Sequence, residues 1–199
     1  MASLRSIVNF LFETGIHAKT PRSGFAFLGT GEQSLAEHTN RTVYVGFALA
    51  HLAGADVGKV VQMCLFHDFA EGRTGDFNYV NKIYNQTDEE RALEDAITEL
   101  PFAPAIREIY HEYHERTSIE ALLAKDADII EILLFLKDQL DLGNTRALDW
   151  IERAKPRLKT KIGKLLAEEL LQTDSTEWFF HAYDAGGWPH KKDSNKPSK

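Results

Sequence analysis

The stretch Leu65-Phe66-His67-Asp68-Phe69-Ala70-Glu71-Gly72-Arg73-Thr74-Gly75-Asp76 decides how the chain is read. It sets a histidine and two carboxylates within five residues at the end of an apolar run that includes Val60, Val61, Met63 and Cys64, where a buried charge without a partner is costly. Continued as a helix, the stretch puts Glu71 about one turn beyond both His67 and Asp68, on one patch. His67 and Asp68 are adjacent, so on a helix they diverge by about 100° and need something between them on which to converge. A divalent cation is the simplest candidate. Gly75 stands where a left-handed residue can end the helix, leaving Asp76 on the rim of the same patch.

Around this stretch the composition is that of one soluble globular unit. The chain has 199 residues, 43% of them hydrophobic, enough for a single well-packed core. A formal net charge of -7 argues against an extended nucleic-acid surface, but not against a small anionic ligand held by local arginines. Cys64 is the only cysteine, so it forms no intramolecular disulfide, and its apolar neighbours suit a buried thiol in a reducing compartment. No apolar run reaches the roughly eighteen residues of a membrane span, and the segment from Ile7 to Phe12 is broken by Asn9 and closed by Glu13. It reads as an amphipathic helix rather than a signal peptide, and the expected location is the cytoplasm.

Helix signals cover most of the chain. Residues 15–33 hold four of the thirteen glycines and read as a loop, with Arg22 and Phe25 in it as potential ligand contacts. Ser34-Leu35-Ala36-Glu37 is a capping-box pattern that opens a helix to about Ala53, with Gly54 as its stop. Counting along that helix from His38 gives Thr42, Val45, Leu49 and Leu52, an inward stripe, and on this pattern alone His38 is a core histidine. Asp56 caps a third helix that carries the opening stretch at its end. Residues 73–86 read as irregular. Thr87-Asp88-Glu89-Glu90 starts a helix that Pro101 ends, and Pro104 opens another with Ile106, Ile109, Tyr110 and Tyr113 on one side. His111 and His114 in that helix have ligand spacing but are flanked by Glu108, Glu112, Glu115 and Arg116, as on a solvated face.

The most apolar long helix begins at Ser118 and contains two aspartates, Asp126 and Asp128. At least one needs a cationic partner, for which Lys125 is the plain candidate, and periodicity does not choose between the two. Shorter helices are expected over Asn144–Ala154 and Leu158–Leu171, followed by an aromatic segment from Glu177 to Tyr183 suited to docking on the body or on a partner subunit. No strand set is legible. The fold class is all-α, with one domain over residues 1–185 and a disordered polar tail over residues 186–199.

His38, the His67-Asp68 pair with Glu71, and Asp128 together resemble the HD-domain metal-dependent phosphohydrolases, over roughly residues 19–144. Within them the chain is most similar to the 5'-deoxynucleotidase group of small HD-domain proteins, where His-Asp is followed by x-x-Glu and then x-x-x-Gly-Asp. His67 to Asp76 fits that pattern without a gap, and Glu37-His38 and Lys125-Asp126-Ala127-Asp128 also match. The resemblance implies a single-domain HD-domain helical bundle with one divalent metal ion held by His38, His67, Asp68 and Asp128, so that Asp128 is the ligand and Asp126 a supporting residue. Such a mixed nitrogen and oxygen set suits Mn, Co, Ni, Fe(II) or Mg. The resemblance further implies that Glu71 is the catalytic acid/base or water-positioning residue, that Asp76 lies near the sugar hydroxyl, and that Arg22 lies near the phosphate. Relatives often carry a tryptophan beside that arginine, whereas Ser23 follows Arg22 here and Phe25 is the nearest aromatic.

The expected activity is hydrolysis of (deoxy)nucleoside 5'-monophosphates to nucleoside and phosphate, in a homodimer with no membrane and no extended nucleic-acid partner. Two alternatives stand beside it: a phosphohydrolase of another small phosphorylated metabolite or diphosphate, and a non-catalytic nucleotide-binding protein stapled by its metal. Intact Glu71 and Asp76 speak against the staple, which would need neither. Two-metal phosphodiesterases carry further histidines near the His-Asp pair, where this chain has Phe66 and Phe69.

Overall fold

In the computed structural model, which describes residues 4–182, the longest helix is also the axis of the molecule. The helices are α1 (Leu4–Thr14), α2 (Leu35–Ala53), α3 (Val57–Phe66), α4 (Glu71–Thr74), α5 (Tyr79–Tyr84), α6 (Glu89–Ile97), α7 (Ala103–Glu115), α8 (Ile119–Asp141), α9 (Ala147–Ala154), α10 (Lys161–Gln172) and α11 (Glu177–Ala182). Short 3-10 turns occupy residues 15–18, 23–27 and 155–157, and the described residues contain no strand. α8 is surrounded by α2, α3, α7, α9 and α10, and Leu123, Ala124, Ala127, Leu133 and Leu136 on it are wholly buried. A second, smaller core joins Phe10 of α1 to Leu93 and Ile97 of α6 and to Ile106 and Tyr110 of α7. Phe69 and Ala70 belong to this second core while Met63 and Cys64 belong to the first, so the residues between them sit where the two cores meet.

Local chemistry explains most helix ends. Ser34 and Glu37 form the capping box that opens α2, and Gly54 closes it in the left-handed conformation at φ 68°. Asp56 accepts from the Lys59 N–H to start α3, and Ser118 accepts from the Ala121 N–H to start α8. Gly46 lets α2 and α3 approach until a Cβ there would overlap the buried Cys64 Sγ, so the crossing admits only glycine at position 46.

Several local expectations are corrected. Leu52 is 61% exposed, so the inward stripe of α2 stops at Leu49. Residues 73–86 are not irregular throughout: they include the end of α4 and all of α5, which Asn78 starts by accepting from the N–H groups of Val80 and Asn81. Asp88, not Thr87, caps α6, through the Arg91 N–H. α9 begins at Ala147, after a turn in which Asn144 accepts from the Arg146 N–H. α10 begins at Lys161 because Leu158 and Thr160 are extended and offer the N–H groups of Lys159 and Thr160 to Asp126. Trp178, Phe179 and Phe180 remain exposed instead of docking on the body, and the expected tail lies outside the described residues. No described helix is long and apolar enough to cross a membrane.

Candidate metal centre

The helix expected through the His-Asp pair is interrupted. α3 stops at Phe66, and the next residues make tighter bonds, from the Phe69 N–H to the Phe66 carbonyl (3.1 Å) and from the Glu71 N–H to the Asp68 carbonyl (3.0 Å). Such a turn advances about 120° per residue instead of 100° and shortens the spacing pattern. His67 Nε2 and Asp68 Oδ2 end 3.1 Å apart, so adjacent residues converge without a continuous helix. After α4, Gly75 takes φ 82° and ψ 152°, a region open in practice only to glycine, and returns the chain so that Asp76 Oδ2 accepts from the Ser23 N–H at 3.1 Å.

Both imidazoles are buried and oriented. His67 Nδ1 donates to the Cys64 carbonyl (2.8 Å), and His38 Nδ1 donates to Glu131 Oε2 (2.5 Å). Carbonyls and carboxylates only accept, so each histidine carries its neutral-state proton on Nδ1 and directs the Nε2 lone pair inward. The two Nε2 atoms are 3.1 Å apart, and Asp128 Oδ1 lies 3.3 Å from that of His38. One ligand atom from each of His38, His67 and Asp128 falls within 4.8 Å of the others, so these three are placed to form a metal site. Asp68 Oδ2, 3.5 Å from His38 Nε2, adjoins the same point. Two facing lone pairs repel unless a proton or a cation lies between them. Burial and Arg22 push the His38 imidazolium down, yet hydrogen bonds to Asp128 and Glu131 outweigh them and raise it to about 9, marking a proton that an ion would replace.

The carboxylates divide by environment. Burial works to raise both Asp68 and Asp128, but His67 and Arg22 hold Asp68 well below the usual range, and Lys125 and His38 do the same for Asp128. Glu71 goes the other way, raised to about 9 by burial and by Asp68 and Asp76, against the pull of Arg22 and Lys82. Its Oε2 is buried without a hydrogen-bond partner. Arg22 joins the group: Nη1 lies 3.0 Å from Asp68 Oδ2 and 3.9 Å from Glu71 Oε2, and Nε lies 3.6 Å from Asp76 Oδ2. All seven residues expected at the site therefore form one cluster, in which Arg22, Asp68, Glu71, Asp76 and Asp128 line a pocket of about 600 Å³ and His38 and His67 are buried behind them.

Asp126 is elsewhere. It is fully buried and accepts from the Lys159 N–H, the Thr160 N–H and the Thr160 hydroxyl, which anchors the start of α10. Its partner is thus backbone rather than Lys125, which binds Asp128 instead. His111 pairs with Glu90, and His114 bonds the Tyr110 carbonyl, both away from the cluster. Phe25 is stacked on Phe135 at 3.9 Å and mostly buried, and Trp150 of α9 provides further aromatic wall. Two residues escaped sequence reasoning. Glu131 is completely buried, and besides His38 it accepts from Gln33 Nε2 (2.7 Å) and Arg41 Nη2 (2.8 Å). Its signal was present, since an acid one turn beyond Asp128 in an apolar helix raises the same question as the aspartates. Trp150 carried no such signal.

Fold and cluster together define the class, an all-α protein whose central helices carry a buried His/His/Asp cluster placed to hold a metal ion. Over residues 18–169 the chain matches the family described as HD domain, and it belongs to that family. The bovine protein named 5'-deoxynucleotidase HDDC2 is 26% identical over 148 residues, 70% of this chain and 71% of that one. The human protein of the same name is 26% identical over 144 residues, 69% of this chain and 70% of its own. The Dictyostelium discoideum protein of that name is 32% identical over 116 residues, 51% of this chain and 60% of the relative. Solved structures share the fold, two of them as follows. A conserved hypothetical protein from Pyrococcus furiosus has a TM-score of 0.70 at 22% identity, covering 83% of this chain and 99% of that one. A predicted metal-dependent phosphohydrolase from Magnetospirillum magnetotacticum has a TM-score of 0.66 at 21% identity, covering 86% and 92%.

Proposed function

We propose that the protein hydrolyses (deoxy)nucleoside 5'-monophosphates to nucleoside and phosphate, using one divalent ion held by His38, His67, Asp68 and Asp128. The observation that carries this is the pair of Nε2 atoms facing each other at 3.1 Å, each with its Nδ1 proton already committed, between two carboxylates at the end of an open pocket. The donor set fits Mn, Co, Ni, Fe or Mg. Such an ion supplies polarisation of a phosphate oxygen and a more acidic water.

The chain's own residues do the rest. Glu71, with an unpartnered oxygen and a raised proton affinity, orients the attacking water and exchanges a proton with it or with the departing sugar oxygen. Arg22 binds phosphate oxygens through its fork of donors, and Asp76 accepts from a sugar hydroxyl. The names of the bovine and human relatives support a nucleotide substrate, as do Phe27, Tyr79 and Trp150 along the pocket, which offer ring faces to a base. The aromatic wall comes from α9, α5 and Phe27, and not from the residue after Arg22, which favours a base or sugar preference of its own and keeps other small phosphate monoesters as a second reading. Exposed Trp178, Phe179 and Phe180 support a homodimer, which light scattering checks.

The test is a metal-dependent phosphate-release screen over nucleoside monophosphates and other monoesters, with wild type and Glu71→Gln. Release by wild type that the variant loses is expected. Equal background from both proteins on every compound would refute the enzymatic reading.

A further inference from the structure

Two cations stand on the carboxylates that the ion would take. Arg22 Nη1 is 3.0 Å from Asp68 Oδ2, and Lys125 Nζ is 2.6 Å from Asp128 Oδ2. Lys125 lies on α8, three residues before Asp128, and its side chain, 17% exposed, lines the pocket beside the cluster. Its Nζ also lies 3.5 Å from the buried Tyr113 hydroxyl and 5.8 Å from the centre of that ring. Among the described residues Asp128 is its one carboxylate within 4.0 Å. An aspartate that gives its oxygens to a divalent ion has less charge to offer an ammonium, and the ammonium is then left beside a second, larger positive charge. That arrangement is favourable when an anion joins both. A lysine on a flexible stem can move a point charge over the short distance this needs.

We propose that Lys125 is a phosphate-binding residue facing Arg22, and that the two cations hold Asp68 and Asp128 in the ion-free protein and turn to the phosphate when the ion arrives. Ion and phosphate then bind cooperatively, each raising the affinity for the other by the same factor. This inference rests on the metal reading proposed above.

The test is calorimetric titration of chelator-stripped protein with Mn²⁺, with and without inorganic phosphate, for wild type, Lys125→Met and Lys125→Arg, after melting curves confirm that each is folded. Phosphate should tighten Mn²⁺ binding by wild type about tenfold or more, the scale of a charge-assisted hydrogen bond. Lys125→Met should bind Mn²⁺ alone at least as tightly as wild type, because a competitor for Asp128 is gone, and should lose most of the coupling. Lys125→Arg should restore it. Weaker Mn²⁺ binding by Lys125→Met without phosphate would show that the lysine only props Asp128, and undiminished coupling would show that phosphate does not meet it. Either result overturns the inference while leaving the metal site intact, whereas absence of Mn²⁺ binding by wild type overturns the metal reading itself.

Discussion

Glu131→Gln tests the site through a residue that touches neither ion nor substrate. In wild type, Oε2 of Glu131 accepts from His38 Nδ1 while Oε1 accepts from Gln33 Nε2 and Arg41 Nε, at 2.7 and 2.9 Å. Glutamine has one acceptor oxygen and one donor NH₂ for the same two sides. The side with Gln33 and cationic Arg41 presents more donors and a full charge, so the oxygen turns there and the NH₂ faces His38. His38 Nδ1 must then accept, its proton moves to Nε2, and the lone pair meant for the ion is lost. Supporting carboxylates of this kind are worth about 10–100-fold in metal affinity, or roughly 1.4–2.8 kcal/mol. Mn²⁺ titration of the stripped protein should show that loss. An affinity within twofold of wild type would refute the tautomer argument.

Three further outcomes follow from the same geometry. Asp128→Ala should abolish ion binding, whereas Asp126→Ala should keep it and lose about 3 kcal/mol of stability or more by stranding the Lys159 and Thr160 N–H groups; metal analysis with chemical denaturation checks both, and the reverse pattern refutes the assignment. In ion-free protein the Glu71 carboxyl, raised to about 9, favours the folded state while protonated, so its contribution is full below the ordinary carboxylate range and is lost as pH rises toward 9. Denaturation across that window should show a falling stability that Glu71→Gln flattens, and an unchanged slope in the variant would contradict it. Trp150→Ala should raise KM for nucleotides about tenfold through lost stacking and leave kcat within about threefold; steady-state kinetics showing the opposite split would remove the indole from the base-binding wall.

Much of this molecule is readable along the chain because its caps and periodicities agree with its tertiary packing. Ser34, Asp56 and Ser118 announce their helices, and α8 is as buried as its composition suggests. The site was legible where residues are adjacent or match a pattern, as in His67-Asp68 with Glu71 and Asp76. It was less so where the deciding contacts are long-range. Nothing near Asp126 in sequence reveals that the backbone of Lys159 and Thr160 satisfies it, which is why periodicity left Asp126 and Asp128 equivalent. The apolar surroundings of Glu131 flagged it as a buried acid, but not its role, because its partners Gln33, His38 and Arg41 lie some ninety residues earlier. The interrupted helix at His67 was illegible because no proline or glycine marks it; packing of Phe69 into the second core supplies the bend.

Lys125, Asp126, Asp128 and Glu131 all come from two turns of α8 and point to four different tasks. A single insertion or deletion upstream within that helix would turn all four by about 100° and shift them by about 1.5 Å together. A length change in this segment therefore removes all four contacts at once, where a substitution removes one. Trp150, Phe27 and Tyr79 arise from α9, a loop and α5, where length and residue type can vary independently. New substrate ranges should accordingly be reached by diversifying those three segments on an unaltered α8, which makes them the place to build a library.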